Sequence, residues 1–152
     1  MKKIFRNRKT YAALGILLLF FILLSMISYA HRTFFRRLEL DEIQSINIYS
    51  VYHYDGEPAV ASLSEEESLQ VYELLNQVEL LGIGSDDFWG YTPYRTKVFK
   101  IELTNGTSID FAPNGSTYII NSEKCFPADY DLSESLSELY YYLELTYFPK
   151  EN

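Results

Sequence analysis

An α+β domain carried behind a membrane-spanning helix is the fold class this sequence predicts, on three observations. Residues 11–30, YAALGILLLFFILLSMISYA, run for twenty positions without a charge. Several later stretches alternate apolar and polar residues between Asn-Gly turns, as half-buried strands do. Two others place apolar residues at helical spacing behind capping residues. The expected order is an N-terminal transmembrane helix and then a β-α-β-β-β-α domain, with one antiparallel sheet and two packed helices. Its parts are a basic cytoplasmic leader (1–10), the membrane helix as signal anchor (11–30), a basic juxtamembrane linker (31–40) and an acidic domain (41–149).

At about 1.5 Å of rise per residue the apolar run spans about 30 Å, the thickness of a bilayer's hydrocarbon core. Lys2, Lys3, Arg6, Arg8 and Lys9 precede it. Ser28-Tyr29-Ala30 offers small residues to a signal peptidase, so secretion after cleavage following Ala30 is the alternative. The length of the core favours retention, because a secretory h-region is usually shorter. No cysteine lies near the run, which excludes attachment as a lipidated lipoprotein. Five basic residues before the helix against Arg32, Arg36 and Arg37 after it place the N-terminus in the cytoplasm and the domain outside.

Charge divides the chain. Residues 1–37 carry eight Lys or Arg and no acid, a net of +8, and residues 38–152 carry five against twenty-one acids, a net of −16. Arg32, Arg36 and Arg37, interleaved with Phe34 and Phe35, suit a membrane-interface belt in which cations meet lipid phosphates. An acidic surface repels phosphodiesters, so nucleic acid is excluded as a partner. The lipid bilayer, an envelope protein and a cationic partner are the expected contacts.

The domain's elements follow in order. Ile43 opens a strand, IQSINIYSVYHY, with Ile46 and Ile48 on one face, and Asp55-Gly56-Glu57-Pro58 turns it. Ser64 followed by Glu65, Glu66 and Glu67 makes a capping box with acids where the helix dipole favours them. Val71, Leu74, Leu75, Val78 and Leu81 continue that helix, and Gly82 is the expected stop. Residues 82–93 form a long loop bearing Phe88, Trp89 and Tyr91, aromatics that either pin the loop to the core or grip a partner. A three-stranded meander is expected over 94–103, 107–111 and 117–121, turned at Asn105-Gly106 and Asn114-Gly115. Both asparagines sit in glycosylation sequons, which turn chemistry explains without a glycan. Leu132, Leu136, Leu139, Leu143 and Tyr147 then define a second helix, capped by Asp131 with Glu134 and ended by Pro149. Tyr140, Tyr141 and Tyr142 cannot all face the core, so Tyr141 joins the candidate partner contacts.

The anchor, residues 43–48, the Ser64-Glu65-Glu66-Glu67 helix start, Pro93-Tyr94 and Ile101-Glu102-Leu103-Thr104-Asn105-Gly106 together resemble a class of small bacterial membrane-anchored proteins with an extracytoplasmic domain of unknown function. The resemblance covers most of residues 40–147 and implies the anchored layout without assigning an activity to any residue.

No catalytic signature is present. The domain has a single histidine, His53, no Gly-x-Ser-x-Gly elbow and no Cys/His metal pattern. Asp129, Asp131 and Ser133 resemble the start of a calcium loop, but Glu134 stands where glycine is required and Tyr140 where a bidentate acid is required. Cys125 is the only cysteine and reads as a small core residue. No catalytic, cofactor-binding or metal residue is therefore assigned, and no cofactor is expected. The expectation is a single-pass membrane protein with a non-catalytic binding or regulatory domain outside the cytoplasm. A hydrolase using Asp86 and Asp87, and a cytoplasmic-facing regulator, are the alternatives.

Overall fold

The computed structural model describes residues 2–49, 59–82, 84–85, 97–121 and 124–149. The chain divides into two units, Met1–Arg32 and Thr33–Asn152. The first is one helix, α1 (Lys2–Arg32), and its segment Tyr11–Tyr29 has a mean hydropathy of 2.5, long and apolar enough to cross a membrane.

The second unit is an α+β domain built on one six-stranded antiparallel sheet. Its described elements are β1 (Ile43–Tyr49), β2 (Val60–Ser62), α2 (Glu65–Leu75), β3 (Phe99–Leu103), β4 (Ser108–Asn114), β5 (Thr117–Ile120), β6 (Lys124–Pro127) and α3 (Tyr130–Tyr147). Spatial order is β2-β1-β3-β4-β5-β6, so β1 and β3 are neighbours although β2 and α2 lie between them in the chain. Ile46 pairs with Ile101 and Ile101 with Ile109, while Ile48 pairs with Phe99 and Phe99 with Phe111. That register aligns apolar rows on one face, and the period-2 alternation of each strand sends its polar residues to the other.

The helices cover the apolar face. Val71 and Leu75 of α2 and Leu136, Tyr140 and Leu143 of α3 join Ile46, Ile48, Phe99, Ile101 and Phe111 in one buried cluster. The Tyr140 ring meets Phe99 edge-on at 5.5 Å, and its hydroxyl donates to the Tyr49 carbonyl. Tyr141 and Tyr142 are exposed, so one of the three consecutive tyrosines is inward.

Several expectations are corrected. Two short strands, β2 and β6, join the sheet that was expected to have four. The second helix stops at Leu75, not at Gly82. Gln77 and Val78 donate to the Leu74 and Leu75 carbonyls, three residues back, which tightens and closes the last turn. Extended backbone then lets Val78 and Leu80 both point inward while Leu81 is exposed. The C-terminal helix is capped by Asp129, whose Oδ1 accepts from the Leu132 N–H at 3.1 Å, not by Asp131. The Asn105-Gly106 turn forms as expected, with Gly106 at φ +82° and Asn105 Oδ1 accepting from the Thr107 N–H at 2.9 Å. After α2 the chain reaches the far edge of the sheet, where Ser85 and Cys125 exchange backbone hydrogen bonds of 2.9 and 3.0 Å. Gly84 is required there, since its φ is +71° and a Cβ would lie 2.8 Å from the Phe126 ring.

The start of the domain also moves. Residues 33–40, read as linker, already belong to the packed unit: Thr33 and Leu38 are buried, and Phe35 is 1% exposed. The Phe35 ring packs edge-on against Phe111 at 5.2 Å, and the Tyr72 hydroxyl donates to the Leu38 carbonyl at 3.1 Å. Phe35 is thus a core residue and not part of an interfacial belt. Apolar burial decides this, because the sheet's Phe111 row would otherwise be uncovered there.

Two predictions follow from this packing. Phe35→Ala removes a fully buried ring and should cost about 3–5 kcal/mol in chemical denaturation, whereas Phe34→Ala should stay within about 0.5 kcal/mol. The second concerns Glu67, whose Oε2 accepts from the Ser64 hydroxyl at 2.6 Å, the Ser64 N–H at 2.9 Å and the Tyr147 hydroxyl at 2.5 Å. The Ser64 hydroxyl first, and then Tyr147, hold its carboxyl below the usual 4.5. A depressed carboxylate stabilises the fold above the unfolded-state value and loses that contribution as pH falls through the folded value. Below pH 4.5 the melting temperature should therefore fall more steeply for the native chain than for Glu67→Gln; parallel curves would remove Glu67 from the acid limb.

Candidate functional site

A cleft of about 840 Å³ opens in the domain where three segments meet. The turn after the apolar helix supplies Arg36. The end of α2 and the chain beyond it supply Leu74, Gln77, Glu79 and Leu81. The β5 strand and the start of α3 supply Tyr118, Asp129, Asp131 and Leu132.

Local structure explains each position. Phe35 is fixed in the core, so its neighbour Arg36 is turned outward, where its Nη2 lies 2.9 Å from Glu79 Oε1. Glu79 stands between buried Val78 and Leu80 in an extended stretch, which sends its side chain the opposite way. Tyr118 is 1% exposed, its ring 5.3 Å from Phe111, and its hydroxyl reaches the Asp129 carbonyl at 3.4 Å. Burial, with the Asp129 charge adding to it, pushes the Tyr118 hydroxyl up to about 12. At neutral pH it is a hydrogen-bond donor and not a base. Asp129 and Asp131 sit at the start of α3, where the dipole favours carboxylates.

The cleft thus holds the Arg36–Glu79 ion pair on one side and the Asp129 and Asp131 carboxylates on the other, over leucine side chains. This arrangement can bind and orient a polar ligand with an apolar portion. The sequence did not reveal it, since its residues are scattered from 36 to 135 and each has a local reason to be where it is. The signal available was Asp129, in cap position before α3.

The expected contact residues fall elsewhere. Phe88, Trp89 and Tyr91, and also Asp86 and Asp87, lie outside the described residues. Tyr141 is exposed on α3 beside Tyr142 and Leu145, with Lys97 Nζ 3.9 Å from the centre of its ring. Among the juxtamembrane residues, Arg32 closes α1, Phe34 is 40% exposed, Arg37 is exposed, Arg36 enters the cleft and Phe35 enters the core.

The sheet face opposite the helices carries a polar row. Ser62 donates to Asn47, Asn47 to Ser45, and Ser45 to Glu102 at 2.5, 3.3 and 3.0 Å, and Lys100 pairs with Glu102 at 3.2 Å. Ser45 first, and then Lys100, holds the Glu102 carboxyl below its usual value. Asp110, across from Lys100, has one carboxylate oxygen buried without a hydrogen-bond partner, and burial raises its carboxyl above the usual range. The row is satisfied by its own members from Ser62 to Lys100. Among the described residues no group of three or more His, Cys, Asp or Glu is arranged to hold a metal ion. Comparison with protein-family profiles, with curated proteins and with solved structures gives no match for the chain.

Proposed function

We propose that this chain is a single-pass membrane protein whose acidic domain stands outside the cytoplasm as a non-catalytic binding module, with the cleft between Arg36 and the start of α3 as its ligand site. The cleft carries this reading. Its charged groups do structural work in the fold, as an ion pair and a helix cap, and Tyr118 is held neutral, so the cleft is equipped for recognition and not for proton transfer. The apolar helix supports the anchored layout, and the excess of positive charge before it supports the orientation. The exposed Tyr141, Tyr142 and Leu145 face of α3 offers a second surface, suited to an envelope protein with cationic groups because Glu134 and Glu138 flank it.

Protease treatment of intact cells should remove a C-terminal tag from protein that stays in the membrane fraction. A protected tag would make the domain a cytoplasmic-facing regulator, and a tag found in the medium would mean cleavage after Ala30. A photoreactive side chain at position 131 should crosslink in cells, and Leu132→Trp, which fills the cleft, should suppress that product without lowering the melting temperature. Crosslinking unaffected by Leu132→Trp would remove the cleft from the reading.

A further inference from the structure

We propose that the outward stripe of α3 formed by Tyr130, Glu134, Glu138, Tyr141 and Leu145 docks a basic amphipathic helix of another protein, whose lysines or arginines lie against Glu134 and Glu138. This deepens the binding-module reading above and rests on it for the partner's place outside the cytoplasm.

Sequence spacing makes the stripe. Its five residues follow one another at intervals of four, four, three and four, so at 3.6 residues per turn they fall within about 80° of the helix circumference. Ser133, Leu136, Tyr140 and Leu143, at intervals of three, four and three, form a different seam and are buried against the domain. α3 is therefore a helix with two seams, and the second is uncovered: Tyr130 is 60% exposed, Tyr141 46% and Leu145 62%, with Glu134 and Glu138 exposed between them. A seam of this spacing is the pattern by which one helix meets another along its length, at a crossing angle of about 20°. From Tyr130 to Leu145 it runs about 22 Å, which sets the partner at about four turns.

Charge chooses the partner's sign. α3 contains Asp131, Glu134, Glu138 and Glu144 and no Lys or Arg, so its last turn lacks the cation that the helix dipole favours there. Among the described residues neither Glu134 nor Glu138 makes a side-chain hydrogen bond or an ion pair. Independently of the acids, the stripe's aromatic part already holds an ammonium: Lys97 Nζ lies 3.9 Å from the centre of the Tyr141 ring. The domain thus displays in its own fold the contact that a partner's lysine would make.

The same signs dismiss other occupants. A second copy would bring its own Glu134 and Glu138 to the contact, from a region whose residues 38–152 carry a net −16. An anionic bilayer is repelled for the same reason. A basic segment without apolar residues would leave Tyr130 and Leu145 uncovered, and exposed ion pairs select a partner more than they hold it.

The test is fluorescence anisotropy with the full chain in uncharged detergent micelles. The probe is a labelled helical peptide of about four turns, with leucines along one seam and two central lysines one turn apart on it; a counterpart carries glutamates for lysines. Saturable binding of one lysine peptide per chain is expected, about tenfold tighter than the glutamate peptide. Glu134→Lys/Glu138→Lys should reverse that preference, and Leu145→Ser should weaken the lysine peptide about fivefold. Glu66→Lys/Glu73→Lys makes the same change in net charge at exposed positions of α2 and should alter affinity by less than about twofold. An equal loss in that variant would mean attraction to net charge alone and would overturn the proposal, as would native affinity in Leu145→Ser. Melting temperatures matching the native chain's verify that these surface variants fold. A dimer in sedimentation that Leu145→Ser disperses would make a second copy the occupant and overturn the basic partner. Protease protection of the C-terminal tag would overturn the outside location while leaving the titration unchanged, so the two failures are read apart.

Discussion

The burial of Phe35 against Phe111 is the contact on which the arrangement of this domain turns. Phe35 lies three residues past the last residue of α1, so the domain's core begins almost at the start of its own unit. Phe111 in turn meets Tyr118, and the three rings form a continuous line from the junction through β4 to β5. Once Phe35 is seated, Arg36 must face outward toward Glu79, and Tyr118 must bring its hydroxyl toward the start of α3. The walls of the cleft are therefore by-products of how the core closes over that one ring. Polar groups placed this way keep their geometry because the rings behind them cannot shift without opening a cavity.

The sequence made some of this legible and concealed the rest for identifiable reasons. The apolar helix, the capping box at Ser64 and the Asn105-Gly106 turn are local signals, decided by a few neighbouring residues, and the structure carries all three. The strands β2 and β6 were invisible because each is short and gains its identity from its partner: Val60-Ala61-Ser62 pairs with β1, and Lys124–Pro127 with β5. Leu75 ends α2 although Val78 and Leu81 continue the helical spacing, since the same spacing over so few residues also fits an extended exit. Phe35 misled because an aromatic between arginines beside an apolar run has the composition of a membrane interface. Only the uncovered row ending at Phe111 reveals that it belongs inside.

The cleft was illegible for a different reason. Each member is accounted for by a local rule: Asp129 caps a helix, Asp131 sits where the dipole favours it, Tyr118 fills a strand position, and Arg36 belongs to a basic flank. A site made of residues that all have structural reasons leaves no anomaly in the sequence. Its visible anomaly is in three dimensions, where the buried Tyr118 hydroxyl ends 3.4 Å from its acceptor.

Electrostatics sets the character of the cleft. Downstream of residue 37 acids outnumber Lys and Arg by twenty-one to five, so most of the domain's surface repels an anionic bilayer. Arg36 is the cation that the fold turns from the basic flank into the domain itself. Its pairing with Glu79 keeps the guanidinium oriented. In the cleft that guanidinium meets three carboxylates, Glu79, Asp129 and Asp131, so the lining keeps the negative sign of the domain around it.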